Sequence, residues 1–287
     1  MVGSGRALGY GQAMRSARRR ILIWLLLLPL LYVLVVVLVA VMQDFLVFPA
    51  KGRADRGVPP IGGLEVGELE REDGGRFRVV TAPPVGEPRA VAVYFVGNGE
   101  DLYSAALGAD ELRDYGMLVI GVEHAGYGAS DGPASVETLL AGATAVAHHA
   151  RGLADELQVP LVAVGSSLGT FCAVHLAAEG LVDRLLLRAP PTSLLAVAKG
   201  HYAWLPVGMF LRHRFDNLSK ADRLSCPVLV LHGDRDHVVP LDLGQELVAA
   251  IGENAQMLVA SGYGHNNLPL SRQGPFGSTI AEFLALP

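Results

Sequence analysis

A short apolar run that ends in a Gly-x-Ser-x-Gly turn constrains this chain more than any other feature. Residues 161–169 have the sequence Leu-Val-Ala-Val-Gly-Ser-Ser-Leu-Gly, and a helix-forming run over residues 170–179 follows at once. This succession predicts a strand, a sharp turn and a helix. Glycines at 165 and 169 leave room for a strained turn. Such a turn lifts the Ser167 hydroxyl clear of the sheet and places it at a helix N-terminus, where negative charge is favoured.

The rest of the chain alternates between predicted strands and helices. Strands are predicted at residues 64–69, 77–81, 90–96, 117–122, 160–164, 185–187, 227–232 and 256–259. Helices are predicted at residues 101–115, 135–150, 241–251 and 276–284. This alternation predicts an α/β fold with a mostly parallel central sheet and helices on both faces. In such sheets ligands bind beyond the carboxyl ends of the strands.

Composition excludes several classes of function. The 287-residue chain has a net charge of −5, and its only basic run is Arg18-Arg19-Arg20. Binding to nucleic acid needs a clustered basic face, so we expect no nucleic-acid partner. The two cysteines, Cys172 and Cys226, form no CxxC pair. We therefore expect neither a metal site nor a disulfide, and both cysteines are predicted to pack in the core.

An uncharged segment over residues 21–42 predicts a membrane anchor. Its 22 residues would span about 33 Å as a helix, enough for a bilayer core of about 30 Å. A cleaved signal peptide is the alternative, but its apolar core would be shorter, and no small-residue cleavage site follows here. The remaining divisions are a basic N-terminus at 1–20, a linker at 43–63 and the α/β domain at 64–287.

Charge predicts the orientation of this anchor. Residues 1–20 contain five arginines and no acidic residue, whereas basic and acidic residues are mixed just after the span. The positive-inside rule places the N-terminus in the cytoplasm. The domain that follows is therefore expected on the outer side of the membrane.

A serine nucleophile needs a histidine base and an acid that orients it. In enzymes built on such a turn the chain order is serine, then the acid, then histidine. Only His237 and His265 follow a plausible acid, and His237 adjoins Asp236 too closely to reach Ser167 as well. His265, in a glycine-rich loop after a strand, is the predicted base. Asp234 and Asp236 both qualify as the acid by location.

Two backbone N–H groups are expected to bind the oxyanion that forms during acyl transfer. One belongs to Leu168, directly after the nucleophile. The other is predicted at Asn98, in the Gly97-Asn98-Gly99 turn after the strand at 90–96. An ordinary Asn-Gly turn is the alternative. A second glycine-rich loop, at 121–132, lacks the spacing of a dinucleotide site and is interpreted as a structural loop nearby.

Together these segments resemble the α/β-hydrolase superfamily, in particular its membrane-anchored abhydrolase-domain proteins with a serine aminopeptidase-like hydrolase domain. The resemblance is carried by residues 43–49, 97–102, 126–130, 165–169, 232–236 and 264–265. It implies Ser167 as nucleophile, Asp236 as acid and His265 as base, with no metal or organic cofactor. Asp234 is then a turn residue. One position departs from the family pattern: Val96 stands where a histidine usually supports the oxyanion loop.

The segment at 191–225 is predicted to be a short lid. It contains Tyr202, Trp204 and Phe210, which either form an acyl-chain groove near the membrane or pack as ordinary helix residues. The resemblance implies hydrolysis of carboxylic esters, thioesters or amides from a small-molecule or lipid acyl substrate. Two alternatives stay open: a non-catalytic, membrane-tethered binding module and an acyltransferase.

Overall fold

The computed structural model describes residues 4–284, with side chains for residues 18–20 and 22–284. One sheet forms its centre. Its eight strands are β1 (Glu65–Glu70), β2 (Arg76–Ala82), β3 (Ala90–Phe95), β4 (Met117–Val122), β5 (Leu161–Ser166), β6 (Arg184–Arg188), β7 (Val228–Gly233) and β8 (Ala255–Ala260). They lie in the order β1-β2-β4-β3-β5-β6-β7-β8. The pairs β1–β2 and β2–β4 are antiparallel and all others are parallel, which confirms the expected sheet.

Helices cover both faces of this sheet. The helices are α1 (Ser4–Val47), α2 (Leu102–Arg113), α3 (Val136–Leu157), α4 (Gly169–Ala178), α5 (Leu194–His201), α6 (Val207–Phe210), α7 (Leu241–Ile251) and α8 (Gly277–Leu284), with short 3₁₀ segments at Leu218–Arg223 and Gly252–Asn254. Apolar residues of α3, α4 and α7 belong to one core cluster, and those of α2 and α8 belong to a second cluster on the other face. The central strands β3, β5 and β7 are buried along their whole length. Their apolar runs show no alternation because helices cover both sides.

Helix α3 runs seven residues beyond the expected end at residue 150. The stripe of small residues that faces the sheet continues past Ala147 and Ala150 to Ala154, which is also fully buried. The helix therefore extends about two more turns before the backbone of Gln158, which is left-handed with φ of 55°, ends it. The sequence did not indicate this extension, because most residues of the last segment are not buried.

Helix α1 extends beyond the uncharged segment at 21–42, and the residues that follow it pack against the domain. The helix continues to Val47, and Phe48 and Ala50 are only 1% and 2% exposed. The Phe48 ring packs edge-on against Phe215 of the lid, at 6.1 Å between ring centroids. The apolar side chains of Val47, Phe48 and Ala50 therefore belong to the same core cluster as α3 and α4.

Candidate active site

The turn between β5 and α4 has the strained geometry that its glycines predict. Ser167 has φ of +49°, in the left-handed region that side chains other than glycine rarely adopt. A Cβ at Gly165 would lie 2.7 Å from Gly169 O, and a Cβ at Gly169 would lie 2.2 Å from Phe95 O. Only glycine fits at either position. The close approach of α4 to β3 and β5 leaves Ser167 at the tip of the turn.

The structure brings the three expected side chains together above the sheet. His265 Nε2 lies 2.9 Å from Ser167 Oγ, and His265 Nδ1 lies 2.7 Å from Asp236 Oδ2. The three residues come from the carboxyl ends of β5, β7 and β8, which are separated in sequence but close in the sheet. An imidazole with a carboxylate on one nitrogen can accept the serine proton on the other.

Both carboxylate oxygens of Asp236 are hydrogen-bonded. Oδ1 accepts hydrogen bonds of 2.8 Å from the backbone N–H groups of Val238 and Val239. Burial by itself raises the pKa of Asp236, but hydrogen bonds from His232, His265 and the Val239 amide outweigh burial and hold this pKa well below its usual range. The contact of His232 with Asp236 is weaker than that of His265, since His232 Nε2 lies 3.5 Å from Asp236 Oδ2 and only 2.9 Å from Val239 O. Asp236 is thus an ionised partner for the imidazole.

The competing acid and base candidates have other contacts. Asp234 accepts hydrogen bonds from Gly262 N at 2.7 Å and Ser261 Oγ at 3.0 Å, so it ties the loop before His265 to the end of β7. His237 is exposed to solvent. A Cβ at Gly233 would lie 2.2 Å from Tyr263 O. This close approach lets the loops that carry Asp236 and His265 meet.

Two backbone N–H groups near the nucleophile turn have no partner within the described part of the chain. The N–H groups of Leu168 and Asn98 have no hydrogen-bond acceptor among the described residues. Asn98 and Ser167 line one cavity of about 300 Å³, together with Gly97, Glu100, Ser166, Arg188, Val238, His265 and Asn266. Asn98 thus lines the same cavity as Ser167, and Leu168 directly follows Ser167 at the start of α4; the hydrogen-bonding capacity of both N–H groups is unused among the described residues.

A histidine that the sequence analysis did not single out supports the oxyanion loop. His124 Nε2 lies 2.9 Å from Val96 O, and Tyr127 donates its hydroxyl proton to Asn98 Oδ1 at 2.9 Å. Burial lowers the pKa of His124 to about 4, so the ring is neutral and donates to the Val96 carbonyl. The support expected from a histidine at position 96 comes instead from the end of β4, the strand next to β3. No local sequence pattern indicates this contact.

Two charged side chains also line the cavity. Glu100 accepts a hydrogen bond from Gly97 N and so closes the turn that presents Asn98. Arg188, at the end of β6, donates to Ser166 Oγ at 2.8 Å and to Leu268 O at 3.1 Å. These bonds tie the nucleophile turn to the segment that follows His265. Glu100 lies in the segment at 97–102 that carries the resemblance and Arg188 lies at the end of β6, but no pattern in the sequence indicates either contact.

The lid contributes no side chain to this cavity. Tyr202 and Trp204 are 52% and 59% exposed and lie outside the residues that line it. Of the two alternatives that the sequence left open for these aromatics, an acyl-chain groove at this cavity is therefore not formed by the described residues. Among residues 4–284 with described side chains, no cluster of three His, Cys, Asp or Glu is placed to bind a metal ion.

Known proteins resemble both the sequence and the structure. The family model for TAP-like proteins (Abhydrolase_4) matches residues 208–287. The uncharacterized protein Rv2307c of Mycobacterium tuberculosis is 34% identical over 188 residues, which cover 66% of this chain and 67% of that protein. Human alpha/beta hydrolase domain-containing protein 17B is 28% identical over 171 residues, which cover 58% of this chain and 56% of that protein.

The Pyrococcus furiosus esterase Pf2001 has a similar structure, with a TM-score of 0.62 at 18% identity, over 81% of this chain and 98% of the esterase. At that identity the likeness concerns the fold. Its agreement with the sheet order, the nucleophile turn and the sequence relatives leads to one assignment: the chain belongs to the α/β-hydrolase superfamily.

Proposed function

We propose that this protein is a membrane-anchored serine hydrolase that cleaves carboxylic ester, thioester or amide bonds through an acyl-enzyme. One observation carries the proposal: a single imidazole, that of His265, lies within hydrogen-bond distance of both Ser167 and Asp236. Such an arrangement turns a weak hydroxyl nucleophile into a reactive one. The family assignment agrees with this chemistry.

In the proposed mechanism Ser167 Oγ attacks the carbonyl carbon while His265 Nε2 takes its proton. The new oxyanion accepts hydrogen bonds from the N–H groups of Leu168 and Asn98. Asp236 stabilises the imidazolium, which then gives its proton to the leaving group as the bond to the acyl carbon breaks. Water, deprotonated by His265, attacks the acyl-enzyme and releases the acid and the free serine.

Two alternatives remain for this site. In an acyltransferase the acyl group passes to an acceptor other than water, and analysis of the products separates that reaction from hydrolysis. A binding module that keeps the fold without activity is favoured by Val96, which replaces the usual supporting histidine. The bond from His124 to Val96 O restores that support from another strand and therefore favours the enzyme.

Hydrolysis of p-nitrophenyl esters of graded chain length tests the proposal. We expect turnover by the wild type and by Ser278→Ala, which removes an exposed serine of α8 that does not line the cavity. Ser167→Ala should lose it. Equal turnover by Ser167→Ala would show that the activity comes from elsewhere.

We also propose that α1 anchors the enzyme in a membrane. The helix over residues Arg18–Val47 has a mean hydropathy of 3.1 in its most apolar window. Leu26 and Leu30 are 73% and 65% exposed, as expected for side chains that face lipid. The arginines of residues 1–20 favour a cytoplasmic N-terminus and an outer hydrolase domain. Added protease should therefore digest the domain in intact cells from outside; a protected domain would reverse the orientation.

A further inference from the structure

Helix α1 is bound to the lid along its last turns, not only at its end. Tyr32 donates its hydroxyl proton to Trp204 O at 3.0 Å. Further along, Gln43 donates to Phe210 O at 3.1 Å and accepts from Arg212 N at 2.8 Å. At 1.5 Å per residue these two contact points are about 16 Å apart along the helix axis. The lid therefore lies against the side of α1 over that length.

The hydrogen bond between Tyr32 and Trp204 determines how deep the lid lies in the membrane. If the hydrocarbon core begins after Arg20, Tyr32 lies about 18 Å into it. The core is about 30 Å thick, so Tyr32 is still about 12 Å below the boundary that faces the hydrolase domain. Gln43, about 35 Å from Arg20, lies just outside the core. Because the Trp204 carbonyl accepts a hydrogen bond from Tyr32, Trp204 also lies below that boundary.

The lid segment at this depth has the composition that lipid requires. Residues 202–211, here called the lid tip, have the sequence Tyr-Ala-Trp-Leu-Pro-Val-Gly-Met-Phe-Leu and carry no charge. Met209 is 87% exposed and Trp204 is 59% exposed. The charged residues lie just outside, with Lys199 before the tip and Arg212 and Arg214 after it. Cations at both ends of an apolar segment fit lipid phosphates at the membrane surface.

Several backbone groups of the lid tip are bonded within the protein. The N–H groups of Leu205, Val207, Met209 and Leu211 donate to carbonyls of residues 202–207, at 2.8–2.9 Å. The carbonyls of Trp204 and Phe210 accept from side chains of α1. Hydrocarbon offers no partners, so a segment that enters it must satisfy its backbone in this way.

We infer that the lid tip is inserted into the bilayer leaflet that faces the hydrolase domain, beside α1. Lys199, Arg212 and Arg214 then lie at the level of the lipid phosphates. The partner of this surface is the same bilayer that α1 spans, so the inference rests on the proposed anchor. It requires no particular orientation of the protein between the two sides of the membrane.

Tryptophan fluorescence of the full chain in lipid vesicles tests this inference. The protein has two tryptophans, Trp24 in α1 and Trp204 in the lid tip. The variant Trp24→Phe reports on the lid alone, and Trp204→Phe reports on the anchor alone. Vesicles contain lipids brominated on their acyl chains, which quench tryptophans within the hydrocarbon, and acrylamide quenches those in water.

We expect bromolipid to remove most of the emission of both variants and acrylamide to remove little of either. Quenching of Trp24 without quenching of Trp204 would overturn the inserted lid and leave the anchor intact. Absence of bromolipid quenching in both variants would overturn the anchor and the inserted lid together.

A cysteine pair gives a second measurement that does not depend on fluorescence. Met209→Cys places a thiol in the lid tip, and Val85→Cys places one at a position that is 57% exposed outside the lid. A water-soluble maleimide reacts with the thiolate, which an apolar environment disfavours. In vesicles we expect labelling of Val85→Cys and strong protection of Met209→Cys, with equal labelling of both after denaturation. Equal labelling before denaturation would overturn the inference.

Discussion

Replacing His124 with glutamine should flatten the pH dependence of folding stability between pH 7 and pH 5. The His124 ring is 2% exposed, and burial lowers its pKa to about 4. The unfolded chain takes up this proton at the usual histidine pKa of about 6.5. Between these two values the unfolded state binds more protons, so acidification favours unfolding.

The size of the effect follows from the two pKa values. Stability from neutral His124 is fully present above about pH 6.5 and is lost progressively as the pH falls towards 4. Between pH 7 and pH 5 the loss is about 2 kcal/mol. Glutamine does not titrate, and its amide can still donate to Val96 O.

Urea unfolding of the full chain in non-ionic detergent, at both pH values, measures this loss. We expect the wild type to lose about 2 kcal/mol more on acidification than His124→Gln. His149→Gln removes an exposed histidine of α3 and should retain the wild-type loss. If wild type and His124→Gln lost the same free energy, His124 would not be buried and neutral, and its support of the oxyanion loop would be refuted.

Three further predictions concern the site itself. Asp236→Asn should lower kcat roughly 10⁴-fold while keeping the fold, because the imidazole loses its charged partner; steady-state kinetics and circular dichroism check this. Gly169→Ala places a Cβ 2.2 Å from Phe95 O, and it should cost roughly 3 kcal/mol and abolish activity. Gly152→Ala, where a Cβ meets nothing within 4 Å, is its control for urea unfolding. The acid limb of kcat/KM should have a slope of one, because the lowered pKa of Asp236 keeps that carboxylate ionised and it adds no second protonation; a limb with a slope of two would contradict this.

The strands and the nucleophile turn could be predicted from the sequence because their signals are local. Central strands β3 and β5 are continuous apolar runs, and the strained conformation of Ser167 requires the two glycines beside it. The chain order of nucleophile, acid and base then restricted the remaining candidates. For the same reason His265 was found, although it lies 98 residues from Ser167.

Contacts across the sheet and across the lid could not be predicted in this way. The bond from His124 to Val96 O depends on β4 lying next to β3, which no local pattern encodes. The contact of Gln43 with the lid was likewise not predictable, because Phe210 is 167 residues away in sequence. In both cases a distant segment supplies the partner.

Labelling by a fluorophosphonate probe tests the central claim most directly, since the probe reacts only with an activated serine. Peptide mass spectrometry of the labelled full chain should find the adduct on Ser167. The adduct should be absent in Ser167→Ala and should form much more slowly in His265→Ala. An intact wild-type protein that is unlabelled at Ser167, or labelled as fast without the imidazole of His265, would contradict the account.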